Sequence, residues 1–363
     1  VNEKREIAQS ATTFNKQADS LVRGLIGRGR SSHGTVRMFV ILLGAFAFFT
    51  FLEPEIFLNP VNLSNIMIVS PEIGVLSVAM MLAMLTGGID LSIVAIANLS
   101  AITITTIYSE MAAVDQEQAS SLVFVIIGLG LLVGLCAGLL NGVLISYVGI
   151  APILATLGTM QIFNGIAIVW TGGKTLYGAP EHLSMLGKVG ILNVPFLFLA
   201  FVLISIVVAL FLNKSSLGRK TQLLGSNPVA ATYSGINPRL VLMSTYVLTG
   251  FLGGIAGILF LVRNPTSSAD YGSSYVLLVI VIAVLGGTNP NGGFATVAGV
   301  VLATLALQTL ASGFSAIRLS AYEYAIAQGT ILISVMILDQ LSINRRRKKS
   351  PQVKSKRVMN EEA

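Results

Sequence analysis

The chain has 363 residues, of which 54% are hydrophobic and only 11% charged, where a soluble domain carries roughly 25% charged residues. That balance excludes an ordinary soluble enzyme or binding module and calls for an all-α polytopic membrane protein; a β-barrel would alternate over segments of about ten residues. The net charge of +7 does not point to nucleic acid, because 19 of the 23 Lys and Arg fall in residues 1–37, 213–239 and the tail after Leu341.

In chain order, residues 1–37 are polar and of mixed charge, a cytoplasmic extension. Within it 18–30 is weakly amphipathic, with Leu21, Val22, Leu25 and Ile26 able to share a face and Arg23, Arg28 and Arg30 turned toward headgroups; disorder is the alternative. No cleavable signal peptide is expected, since the first apolar run begins after about 35 polar residues. Ten apolar spans follow, near 38–52, 66–85, 93–107, 122–144, 150–170, 194–212, 240–262, 275–285, 294–310 and 324–341. Roughly 20 residues are needed to cross, so the third and eighth are expected to be tilted, broken or re-entrant.

Basic residues concentrate on the cytoplasmic side of membrane proteins, and an even span count places both termini there. The loops then assigned outside carry Glu53, Glu55, Glu110, Asp115, Glu117, Glu181, Asp270 and Glu323, against Lys174, Lys188, Arg263 and Arg318. The membrane domain is 38–341. The tail 342–363 begins with Arg345 to Lys349, an anchor at anionic lipid.

The connection after the second span reads Leu85-Thr86-Gly87-Gly88-Ile89-Asp90. An ionisable group between closely spaced spans is a functional candidate. The structural reading is that Asp90 or Ser92 N-caps the third span beside a turn at Gly87 and Gly88; the mechanical reading is a hinge. Leu285-Gly286-Gly287-Thr288-Asn289-Pro290 repeats the style six spans later, as a parallel internal repeat would. Glu72 and Asp339 are the other intramembrane carboxyls, and both read as lying near span ends, which argues against a proton relay.

Uncharged polar groups are commoner in the spans. Asn98, Asn141, Thr156, Gln161, Asn164 and Gln308 would suit a pathway for a neutral polyhydroxylated solute, with interhelical hydrogen bonding the competing reading. Gly130, Gly134, Gly138 and Gly142 recur every four residues in the fourth span, and Gly250 and Gly254 repeat the spacing in the seventh. Small residues at that spacing let helix backbones approach closely, so these are packing faces. Trp170 reads as an interface aromatic. Gly173-Lys174-Thr175 resembles the end of a phosphate-binding loop, but Ile168 stands where a glycine is required. Cys136 is the lone cysteine and His33 and His182 lie in separate segments. No nucleotide, metal or other cofactor site is therefore expected in this chain, nor a nucleophilic catalytic constellation.

Residues 211–240 form a long polar interruption with Lys214, Arg219, Lys220 and Arg239 and no acidic residue. Ser226 or Asn227 can N-cap a short helix, Pro228 fits its first position, and Val229, Ala230, Ala231, Thr232, Tyr233 and Ser234 fill it. Gly235 closes it and Pro238 prevents continuation. So short a helix is marginal alone in water, so its ends should be tethered and one face should meet a partner.

Together these residues resemble the membrane subunit of a bacterial ABC sugar importer, the ribose/xylose/galactose type of permease. In the first half the resemblance is carried by Gly87-Gly88-Ile89-Asp90-Leu91-Ser92, Asn141-Gly142, Pro152 and Ala155-Thr156-Leu157-Gly158-Thr159. Further on it is carried by Leu217-Gly218-Arg219, Gly225-Ser226-Asn227-Pro228, Ala230-Ala231, Ser234-Gly235-Ile236 and Gly286-Gly287-Thr288. One departure is Ile93-Val94, where relatives often continue with Val-Gly. The resemblance implies a homodimer of permease copies in the bacterial inner membrane, ABC ATPase subunits that hold Mg-ATP, and a periplasmic or lipid-anchored sugar-binding protein. It also implies that 213–239 is the coupling loop, with the helix at Pro228 seated in the ATPase. An ion-coupled carrier needing no ATPase is the alternative, and the neighbouring genes would discriminate the two.

Overall fold

The computed structural model describes residues 32–318 apart from 188, 192 and 193, together with 320, 323, 326, 329, 330 and 333. One compact unit ends at Gly313 and a second begins at Phe314. In the second, the exposed Glu323 carboxylate accepts from the Ser320 backbone N–H (2.7 Å) and hydroxyl (2.8 Å).

The first membrane helix, α1 (Ser32–Leu52), starts six residues ahead of its expected position and is followed by the single turn α2 (Pro54–Phe57). Next come α3 (Pro60–Leu85), α4 (Ile93–Val114), the short α5 (Gln116–Ser121) and α6 (Val123–Val143), which ends in a π-turn over Leu144–Val148. After α7 (Pro152–Thr171) the chain makes β1 (Leu176–Tyr177), α8 (Glu181–Leu186), β2 (Gly190–Ile191) and β3 (Val194–Pro195). Then follow α9 (Phe196–Lys214), α10 (Ser216–Ser226), α11 (Pro228–Tyr233), α12 (Pro238–Arg263), β4 (Thr266–Ser267), α13 (Tyr275–Leu285) and α14 (Val297–Ala316). β1 pairs antiparallel with β4, and β2 with β3.

Among the described residues eight helices are long and apolar enough to cross a membrane. The expected tenth span, 324–341, lies largely outside the described residues, as do the amphipathic piece 18–30 and the basic tail. The third span is not short: α4 continues to Val114, 22 residues, because the polar Ser109 and Glu110 continue the helix without breaking it. The eighth stays short.

Three helices, α3, α11 and α12, begin with the same pair, a capping Asn and a Pro at the first position. Asn59, Asn227 and Asn237 accept from the backbone N–H of Val61, Ala230 and Arg239 at 2.9, 3.0 and 3.0 Å. The Asn side chain satisfies a donor that the helix itself leaves open, and Pro lacks the donor that would be orphaned.

α3, α4 and α12 are largely buried, whereas α1, α6, α7 and α9 keep most of their apolar surface exposed. This is a bundle with an inner layer and a lipid-facing ring. The inner layer is close because it is made of small residues. A Cβ on Gly138 would come within 3.0 Å of the Gly250 Cα, and one on Gly134 equally near the Gly254 Cα. The two glycine stripes lie on each other, α6 against α12. Gly130 instead faces Ile104 and Ser100 of α4, and Gly142 faces Met243.

The shortness of α13 follows from where it starts. Glu72 lies 13 residues before the end of α3, about 20 Å up the helix, and there it meets Arg263, the last residue of α12. The chain then stays inside the bundle: Asn98 of α4 donates to the carbonyls of Ala269 (2.7 Å) and Tyr271 (2.9 Å). An 11-residue helix spans about 16 Å, about half of the roughly 30 Å hydrocarbon layer. α13 therefore begins part-way through the layer and ends beside α3.

Candidate functional site

The basic stretch folds as two short helices. Ser215 caps α10 by accepting from the Gly218 N–H (2.9 Å). Asn227 caps α11, so of the two cap candidates the second serves, and Ser226 is the last residue of α10. The other end of α11 closes at Gly235 (φ 78°), with the Gly235 N–H donating to Thr232 O (3.0 Å) and the Ile236 N–H to Ala231 O (3.1 Å). Only the left-handed residue lets both bonds form, and Ile236 then packs on Ala231, as such caps usually do. The helix ends at Tyr233, with Ser234 as its C-cap. Ala231, Leu224, Ile236 and Val241 make a small buried cluster. On the other side Val229 is 65% and Tyr233 89% exposed, two large apolar side chains one turn apart.

Just before α11 the backbone meets the membrane helices. A Cβ on Gly225 would strike the Leu85 carbonyl, and Gly292 lies between Gly225 and the Gly87 N–H. The Gly293 N–H donates to Leu85 O (2.9 Å). The first look-alike interruption therefore touches Asn291, Gly292 and Gly293, just past the second. The two interruptions also share one backbone design. At the end of α3 the N–H groups of Gly87 and Gly88 donate to Met84 O (2.9 Å) and Ala83 O (3.2 Å); at the end of α13 those of Gly287 and Thr288 donate to Val284 O (2.9 Å) and Ala283 O (3.1 Å). Gly87 (φ 82°) and Gly287 (φ 92°) occupy the left-handed region that each cap requires.

Past Gly88 the chain enters a buried polar network. Asp90 does not supply the expected helix N-cap; it holds the turn before it. Its Oδ1 accepts from the Ser92 N–H (3.1 Å) and hydroxyl (2.7 Å), and its Oδ2 from the Thr249 hydroxyl of α12 (2.8 Å). Three donors thus converge on a fully buried carboxylate. Asn141 extends the chain, donating from Nδ2 to Ser92 Oγ (2.7 Å) and accepting from Thr159 at Oδ1 (2.6 Å). Thr156 accepts from the Leu91 N–H (3.1 Å). Asn141 and Thr156, read from sequence as pathway groups, are thus fully buried clamps on this turn.

The other pathway candidates are dispersed. Asn98 and Asn164 border one cavity. Gln161 lies on the outward side of α7, in an apolar groove with Ile162, Ile166, Val169 and Trp170. Gln308 is half-buried on α14.

Two residues were misplaced by sequence. Glu72 is not near a span end but midway along α3, immediately after Pro71, because the helix starts at Pro60. Arg263 is not a loop residue. Its Nη1 lies 2.8 Å from Glu72 Oε2, and the Tyr271 hydroxyl reaches the same carboxylate at 3.2 Å. The pairing of a buried acid with a base 191 residues away has no local signal. Among the described residues no group of three His, Cys, Asp or Glu side chains converges on a metal-sized site.

A family described as the branched-chain amino acid transport system / permease component matches residues 62–336. The chain is 32% identical to the ribose import permease protein of Bacillus subtilis over 286 residues, 78% of this chain and 86% of that protein. It is 29% identical to the D-allose transport system permease protein of Escherichia coli over 303 residues, 84% of this chain and 90% of that one. It is 30% identical to the autoinducer 2 import system permease protein of Photorhabdus temperata over 279 residues, 75% and 81%. No solved structure matches.

Proposed function

The chain belongs to the branched-chain amino acid transport system / permease component family, and from that premise we propose that it is the membrane-spanning subunit of an ATP-driven importer for a monosaccharide or similar neutral polyol. It is a multi-pass transport component rather than an enzyme. The proposed assembly has two permease copies, a separate ABC ATPase that binds Mg-ATP, and a sugar-binding protein on the outer face of a bacterial cytoplasmic membrane. Both chain termini then lie in the cytoplasm, on the side of the three basic segments.

The observation that carries the coupling role is the geometry of α11. A six-residue helix does not persist alone, yet here both ends are capped and a single side chain, Ala231, is buried. Val229 and Tyr233 stand out from the opposite side. Exposed aromatic anchors of this kind supply most of the energy where a helix enters a groove. Movement of α11 would reach the bundle through Gly225, which touches both Leu85 and Gly293. A push on the short helix then acts at once on the end of α3 and on the connection between α13 and α14.

The test is the Val229→Ala, Tyr233→Ala double variant in the assembled importer. It should insert and dimerise as the unaltered chain does while losing most ATP-dependent uptake and most ATP hydrolysis stimulated by the loaded binding protein. Undiminished coupled uptake would sink the coupling role. Uptake by the permease alone, driven by an ion gradient, would establish a carrier mechanism in its place.

A further inference from the structure

Between α4, α7 and the start of α13 lies a partly enclosed cavity of about 230 Å³. Asn98 reaches it from α4, Met160 and Asn164 from α7, Asp270 and Ser273 from the connection 264–274, and Val276 from α13. Asn98 is 2% exposed, and both its amide hydrogen bonds hold the connection in place, at Ala269 and Tyr271. Its Oδ1 finds no hydrogen-bond partner. That oxygen is closed off from open space, so Asn98 serves the cavity by fixing the connection at its rim.

The chemistry of the lining is mixed in a particular way. A carboxylate, two amides and a hydroxyl face apolar wall from Met160 and Val276, the few-polar, mostly apolar composition of small-molecule sites. A sugar ring presents hydroxyls around its edge and C–H groups on its faces, and needs both kinds of surface. The volume is below the roughly 300–1,000 Å³ of sites for drug-sized ligands and suits one ring. The position also fits. α13 begins part-way through the layer, and transporters hold substrate near the midplane where spanning helices are interrupted.

We propose that this cavity is a polyol-binding subsite on the translocation pathway, in which Asp270 accepts from ring hydroxyls and Asn164 and Ser273 orient them, while Asn98 holds in place the connection that carries Asp270 and Ser273. The proposal rests on the reading of the chain as a polyol permease. It extends that reading to residues that sequence alone did not single out, Asp270 and Ser273, and separates Asn164 from the pathway candidates that serve as clamps.

The experiment uses the assembled importer in proteoliposomes with radiolabelled D-ribose, D-allose, D-xylose and D-galactose. Asp270→Asn and Asn164→Ala should each lower uptake of the transported sugar by about ten-fold, the worth of a hydrogen bond to a charged or desolvated group. They should also change the order of preference among the four sugars, with stimulated ATP hydrolysis kept within about two-fold. Uptake and preference unchanged in both variants would overturn the subsite and leave the importer standing. No ATP-dependent uptake of any of the four by the unaltered assembly would overturn both readings. If uptake and hydrolysis fall together, Ser273→Cys in a Cys136→Ser background reads the cavity directly. Protection of that thiol from a methanethiosulfonate reagent by the transported sugar supports the subsite, and equal modification with and without sugar overturns it.

Discussion

Glu72 and Arg263 show what a single residue pair does in this protein. Glu72 is fully buried while Arg263, at the end of α12, keeps about a quarter of its side chain exposed (26%), and the carboxylate is tolerable there because the guanidinium lies 2.8 Å away. Removing one partner of a buried pair leaves an uncompensated charge and costs about 3–5 kcal/mol, whereas removing both is much cheaper. Arg263→Ala should therefore lower the thermal midpoint of the detergent-purified protein sharply. Glu72→Gln combined with Arg263→Gln should recover most of that loss. Equal midpoints for the single and double variants would mean that the pair is not coupled. The Tyr271 hydroxyl on the same carboxylate ties the connection 264–274 to this point, so the pair also fixes the roof over the cavity beside Asn98.

Glycine spacing decides how the helices pack. On α6 and α12 the backbones touch because Gly134 and Gly138 face Gly250 and Gly254, and dispersion between close backbones replaces the hydrophobic drive that lipid cannot supply. A side chain at Gly250 would run into the backbone of Gly134 and Gly138, which cannot move aside as a flexible side chain can. Gly250→Val should abolish accumulation of folded protein, measured as the monodisperse fraction after extraction. Gly158 on α7 has nothing within 4 Å of its Cβ position, so Gly158→Ala should leave the fold intact. The contrast tests the packing itself, since both sites are glycines in apolar helices. The short α11 is a different kind of element, held by its caps and by contact through Gly225 rather than by a packing stripe.

Charge alone sets the proposed orientation of the whole molecule. With basic segments inside, Tyr233 faces the cytoplasm and Glu181, in the segment between α7 and α9, faces the exterior. In a Cys136→Ser background, a membrane-impermeant thiol reagent should label the Glu181→Cys variant on intact cells. It should label the Tyr233→Cys variant only after permeabilisation. The reverse pattern would invert the orientation and remove α11 from reach of a cytoplasmic ATPase. At this scale the turns also gain a meaning: the end of α3 meets the α13–α14 connection at Gly292 and Gly293 beside Gly225 of α10, so three separated stretches of chain share one joint.

Fold class, most span positions, the caps of α11 and the two glycine stripes were legible in the amino-acid sequence, because each depends on neighbours within a few residues. Apolar length, an Asn before a Pro, a left-handed Gly and a four-residue spacing all act locally. What only the tertiary structure decided was which polar groups are structural and which border open space. Asn141, Thr156 and Asn164 are alike as polar groups in apolar spans, yet the first two close on the Asp90 turn and the third borders the cavity. The pairing of Glu72 with Arg263, the contact between the Gly87 and Gly292 turns and the mid-layer start of α13 were likewise hidden. Each joins residues far apart in the chain, and the energy of such a contact depends on distance in space, which no local pattern encodes.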